Sequence, residues 1–151
     1  MNKNMSAILS GLAGVGVALA LTATAAGAAT PTEMRQAAMK AVGQSMKDGA
    51  AINSGKTPYD PAKAKAVMGG LSTNVKKLHA LFPAGSGGDP KTEALPAVWT
   101  NKADFTKRID ELAKLADTAS KAPNAAAFKP AFQAVGGTCK GCHDLYRKKA
   151  S

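Results

Sequence analysis

The sequence predicts an all-α protein folded as an antiparallel four-helix bundle. Composition is the first observation behind this. Aromatic residues make up only 5% of the chain while alanine abounds, and few aromatic or β-branched residues beside much Ala, Leu and Lys favour helix over sheet. Periodicity is the second: four stretches carry apolar residues at steps of three and four, the spacing of one helical face. The third is connection length. Two links are short and one, Pro83 to Pro96, is long, a pattern that suits an up-down bundle. A chain of 151 residues with 45% hydrophobic content supports one domain with its own core. No internal repeat is visible.

Residues 1–28 read as a cleaved signal peptide rather than part of the fold. A short basic start, Met1 to Asn4, precedes an apolar run from Ala7 to Ala20. The small-x-small triplets Ala23-Thr24-Ala25 and Ala26-Gly27-Ala28 follow it directly. A membrane anchor is the competing reading, but Ser10, Thr22 and several glycines interrupt the run. No second apolar stretch is long enough to span a bilayer, so stable membrane insertion is not expected. Cleavage leaves 29–151 as the bundle, exported to the periplasm. The formal charge is +10, and Lys3 is the one charge the leader removes, so nine net positive charges stay. That balance favours acidic partners, although lysines solvating helix faces account for much of it. Nucleic acid fits poorly, because no stacking-aromatic pattern accompanies the charge.

The first helix opens at Pro31-Thr32-Glu33, with Thr32 a candidate N-cap, and runs to about Ala51 before Asn53-Ser54-Gly55 ends it. Met39, Val42 and Met46 share a face, and Arg35 lies one turn before Met39. Asp60-Pro61 reads as N-cap and N1 of a second helix reaching about Phe82. Its stripe is Val67, Leu71, Val75, Leu78 and Phe82. Gly69-Gly70 inside it costs about 1 kcal/mol per glycine relative to alanine; close approach of another helix or a flat ligand would offset that, and poor packing is the alternative. Pro83 to Pro96 is Gly- and Pro-punctuated and reads as a loop, which Trp99 packs onto the bundle. Asn101 is placed to cap a third helix, which runs to about Lys121 on a face of Phe105, Ile109, Leu112, Ala116 and Ala119. The fourth helix follows Pro123-Asn124. Its stripe steps through Phe128, Phe132, Val135, Cys139, Cys142 and Tyr146, with Pro130 expected in the first turn or at a kink. Arg147-Lys148-Lys149 puts cations where the helix dipole favours them.

Chemistry concentrates in Cys139-Lys140-Gly141-Cys142-His143, which holds the chain's two cysteines and one of its two histidines. Cys-x-x-Cys-His is the spacing of covalent c-type haem attachment. Two thiols on one helical face reach the two vinyl groups of one porphyrin, and the next imidazole reaches its iron. A thioredoxin-like dithiol would want a strand before the motif and a βαβ neighbourhood. A closed zinc site needs four ligands, and His79 alone remains without a paired ligand at the expected spacing. A disulfide is poorly placed between cysteines this close on a helix. Haem c, one per chain, is the reading that joins motif, export and helical context. His143 is then the proximal ligand, and the opposite axial position decides function. His79 and the methionines Met34, Met39, Met46 and Met68 are open candidates there, with core packing the ordinary role of a helical methionine.

Cys139 to His143 followed by Asp144-Leu145-Tyr146-Arg147 resembles the class II cytochromes c, the cytochrome c′ family. So do Arg35-Gln36-Ala37-Ala38-Met39, Lys56 to Asp60, Leu81-Phe82-Pro83 and Val98-Trp99. The resemblance covers essentially the whole mature chain and implies a four-helix bundle with haem near the C-terminus. It also implies two behaviours. Cytochromes c′ leave the distal iron face open and bind small gases. The low-spin cytochrome c-556 type supplies a methionine from the first helix and transfers electrons. Met39 stands at that matching position, Arg35 and Gln36 match positions near the haem propionates, and Arg147 matches a basic position near the proximal side. The leading expectation is a periplasmic electron carrier with His143 and Met39 as axial ligands, not an enzyme, working with acidic-surfaced redox proteins. A five-coordinate gas-binding cytochrome c′ is the alternative. A peroxidase-like enzyme would want a distal acid or base, and the first helix has no histidine. Family members are often homodimers through the first two helices; the stripes here do not decide between monomer and dimer.

Overall fold

The computed structural model describes residues 28–149. The leader therefore falls outside the described residues, apart from Ala28. Four long helices make an antiparallel bundle: α1 (Pro31–Asn53), α2 (Pro61–Lys77), α4 (Lys102–Ser120) and α5 (Ala125–Tyr146). A single turn, α3 (Ala97–Thr100), precedes α4, and a 3₁₀ turn, Leu78–Leu81, continues α2. The only strand-like pairing among the described residues is an isolated antiparallel bridge between Ala94 and Arg147.

Local chemistry explains the helix starts. Thr30, not Thr32, caps α1. Its hydroxyl accepts from Glu33 N–H at 3.2 Å, and the Glu33 carboxylate accepts from Thr30 N–H at 2.9 Å, a reciprocal capping box. Thr32 is instead buried one residue inside the helix, beyond Pro31. Asp60 caps α2 through Lys63 N–H at 2.7 Å, with Pro61 at the first helical position. Asn124 caps α5 through Ala127 N–H at 2.9 Å. Asn101 holds the cap position of α4 without a side-chain bond to it. Pro130 lies in the second turn of α5, not the first, and the helix runs through it. The second helix ends as α-helix at Lys77 rather than Phe82, because the chain tightens to 3₁₀ before Pro83.

The core is one cluster. Met68, Leu71 and Val75 of α2 meet Ile109, Ala113 and Ala116 of α4, and Phe128 and Val135 of α5 close it; all are at most 3% exposed. Ser72 spends its hydroxyl on the Ala113 carbonyl at 3.1 Å, so its burial leaves no orphaned donor. Burial of this apolar surface is the main driving force for the bundle. Gly69 and Gly70 have no neighbour within 4 Å of where a Cβ would stand, so neither marks a close approach. That role falls to Gly49 on α1, where an added Cβ would stand 2.5 Å from Phe132 Cε2 of α5.

The helix pairs are unequal. α2 packs extensively on α4 and α1, and α4 on α5, whereas of these neighbouring long-helix pairs α1 and α5 touch least. They meet at Gly49 and Phe132, and between them Met39 and Cys139 line a common cavity. That space positions the site.

Candidate haem site

A cavity of about 580 Å³ lies between α1, α4 and α5. Cys139, Cys142 and His143 line it from α5, and Arg35, Gln36 and Met39 line it from α1. Six positions singled out in the sequence thus border one space, although about a hundred residues separate the two groups in the chain. Phe105, Ile109 and Leu112 of α4 supply an apolar wall. The size is in the usual range for small-molecule and cofactor sites, and a mostly apolar lining with a few polar groups is their usual make-up.

The cysteines are free thiols, half-buried, one turn apart on the face of α5 that carries Phe132 and Val135. Burial is the main cause pushing both thiols above their ordinary pKa, so they are held protonated. His143 follows at the cavity edge with much of its surface accessible. Partial desolvation of the ring, and then positive Arg147, pull its pKa down and favour neutral imidazole, the form that binds metal. Two thiols and a neutral imidazole beside an apolar wall fit a covalently held porphyrin.

The register across the cavity can be read from packing. Gly49 lies against Phe132, and the Met46 methyl is 4.0 Å from a Cβ built at Gly136. The helices are antiparallel and rise equally, about 1.5 Å per residue. Seven residues onward from Met46 and Gly136, Met39 comes level with His143. Met46 also lines the cavity, deeper in the bundle. Met68 is fully buried in the core and Met34 is 40% exposed, and neither lines the cavity. His79 is on the outer surface, with Nε2 2.8 Å from the Asp110 carboxylate.

Arg35 is buried, and its guanidinium is largely engaged by the loop after α2. Nε donates to Leu81 O at 2.7 Å, Nη1 to Thr92 Oγ1 at 3.1 Å, and Nη2 to Ser86 O at 3.0 Å and to the Ser86 hydroxyl. It also sits 4.5 Å over the Phe82 ring. Gln36 is exposed at the cavity rim. Arg147 pairs with Glu93 at 2.8 Å.

Two groups of residues around the cavity escaped the sequence reading. Asp104 accepts from Tyr146 Oη at 2.5 Å and from Arg108 Nε at 2.6 Å, beside Cys142. The four-residue spacing of Asp104 and Arg108 was a visible signal for half of that network. Thr92 and Glu93 sit in a stretch that looks like plain linker, and no local signal marks them.

Residues 30–147 match the family model for cytochrome c′. The chain is 39% identical to a cytochrome c-556 of Agrobacterium tumefaciens, over 78% of this chain and 96% of that protein. It is 40% identical to a cytochrome c′ of Rhodopseudomonas palustris, over 78% of this chain and 81% of that protein. A solved cytochrome c′ from Rhodopseudomonas palustris superposes with a TM-score of 0.76 at 35% identity, covering 82% of this chain and 99% of that one.

Proposed function

Because the chain belongs to the cytochrome c′ family, we propose that it is a periplasmic electron carrier whose single haem c is held by Cys139 and Cys142 and ligated by His143 and Met39. The cofactor supplies a one-electron iron couple. The chain's own residues do the rest. The Cys-x-x-Cys spacing fixes the ring to α5, and neutral His143 offers a nitrogen to the metal. The wall of Phe105, Ile109 and Leu112 excludes water. Arg35 and Gln36 line the cavity on the Met39 side beside Lys40, and they are the residues that the family resemblance assigns to the propionates.

The register carries this reading: among the methionines, Met39 is the one level with His143 across the cavity. A thioether is a neutral, soft ligand that suits both iron oxidation states. It closes the iron to other ligands, so the protein works as a carrier rather than an enzyme. No helix among the described residues is long and apolar enough to cross a membrane. The leader at 1–28 supports export, and the positive charge suits acidic-surfaced redox proteins, with pairing of two copies through α1 and α2 compatible with the carrier role.

A five-coordinate, gas-binding cytochrome c′ is the second reading. The observation that favours it is that cytochromes of both names match the chain about equally. Optical spectra of the oxidised and reduced protein, with and without carbon monoxide, separate the two. A low-spin spectrum indifferent to carbon monoxide is expected. Met39→Ala then converts it to a high-spin, gas-binding form, while Met46→Ala leaves it low-spin. A high-spin native spectrum, or a change with Met46→Ala alone, overturns Met39 ligation.

A further inference from the structure

On each side of the cavity an arginine stands one turn from the proposed iron ligand: Arg35 before Met39 on α1, and Arg147 after His143 at the end of α5. Both grip the same dipeptide. Arg35 Nη1 donates to Thr92 Oγ1 at 3.1 Å, a buried bond, and Arg147 Nε donates to Glu93 Oε2 at 2.8 Å. Backbone bonds fasten the dipeptide further to the α5 side. Lys148 N–H donates to Glu93 O at 2.8 Å and Leu95 N–H to Tyr146 O at 2.9 Å, and Lys148 Nζ reaches Thr92 O at 2.9 Å. Helices α1 and α5 touch at the far end, where Gly49 lies against Phe132 and Met46 beside Gly136. At the open end, Thr92-Glu93 is hydrogen-bonded to residues of both helix ends.

We propose that Thr92-Glu93 is a tie that sets the distance between the two iron-ligand helices, with Thr92 as its positioning residue. The tie thereby governs whether the distal iron face is closed or open to gases. This rests on the reading that Met39 and His143 face each other across the cavity. Thr92 is the critical partner because the residue is 6% exposed and its hydroxyl accepts the one bond, among the described residues, from α1 to the dipeptide. A buried donor left without its acceptor costs much more than an exposed pair. Glu93 and Arg147 are 61% and 43% exposed, so their ion pair is the weaker grip.

The test uses full-length haem-loaded protein and three variants. Thr92→Val keeps shape and removes the acceptor, Thr92→Ser restores it, and Glu93→Gln weakens the other end. Carbon monoxide association to the reduced protein should quicken about tenfold in Thr92→Val, the scale on which loss of one buried hydrogen bond shifts an opening equilibrium. The increase should be about twofold in Glu93→Gln and absent in Thr92→Ser. Amide hydrogen exchange at Leu95 and Lys148 should quicken in Thr92→Val as well. Wild-type association rates in both Thr92→Val and Glu93→Gln at full haem content overturn the tie, as does faster exchange without faster gas binding. Should Thr92→Val fail to load haem, Glu93→Gln decides alone. A high-spin spectrum of the unaltered protein overturns Met39 ligation but leaves the comparison of association rates intact, so the two failures are distinguishable.

Discussion

Gly49 shows how one missing methyl group decides where a cavity can form. An alanine there would put its Cβ 2.5 Å from Phe132 Cε2, and Phe132 is itself stacked on Phe128 with ring centroids 5.7 Å apart. Gly49→Ala should gain about 1 kcal/mol of helix propensity and lose about 1–3 kcal/mol to overpacking. A net loss of stability is expected, read as a lower denaturant midpoint. Gly69→Ala and Gly70→Ala meet open space, so each should instead raise stability by about 1 kcal/mol. In the sequence all three are helical glycines with no mark to separate them, since the difference lies on the neighbouring helix. The α1 cap was misread for a similar reason. Thr30 and Thr32 both flank Pro31, and only the reach of Glu33 back to Thr30 N–H distinguishes them. Thr30→Ala should cost about 1 kcal/mol, measured by thermal unfolding.

At the scale of elements, the polar contact of Asp104 with Tyr146 joins α4 to the last turn of α5, beside the haem motif. Hydrogen bonds from Tyr146, and next from Arg108, hold the Asp104 carboxyl below its ordinary pKa, with Lys107 adding a smaller pull in the same direction. A carboxylate whose folded pKa is depressed stabilises the fold fully above its unfolded pKa and ceases to do so as pH falls through the folded value. Wild-type melting temperature should therefore drop as pH falls through and below the usual carboxylate range, and Asp104→Asn should lower the melting temperature at neutral pH while flattening part of that drop. An equal acid slope in both proteins would deny Asp104 this role. The long helices were legible because each buries a stripe with its own period. The 3₁₀ turn, α3 and the path of 81–96 were not. Their shape is dictated by Arg35, Trp99 and Arg147 reaching in from elsewhere, as when Trp99 Nε1 donates to Pro83 O at 2.9 Å.

Across the whole molecule, the site shows the same split between local and distant information. Cys139 to His143 is a contiguous signal, readable without any fold. Which residue of α1 stands opposite His143 is a matter of register between helices at the two ends of the chain, and only similarity to a family pointed to Met39 beforehand. Charge is the other property of the whole. The chain carries +10 net, and the cavity border holds Arg35, Lys40, Arg108 and Arg147 against Glu93. Such a field steers anions toward the cofactor, and salt screens it over a Debye length of about 10 Å at 0.1 M. Oxidation of the reduced protein by an anionic reagent such as ferricyanide should slow as ionic strength rises, and oxidation by a cationic cobalt complex should quicken. Substituting Lys40→Glu, which leaves the cysteines, His143 and Met39 untouched, should shrink both slopes together. Rates insensitive to salt with either reagent would mean that the positive surface lies away from the path the electron takes, and that an acidic partner gains nothing by docking at this mouth.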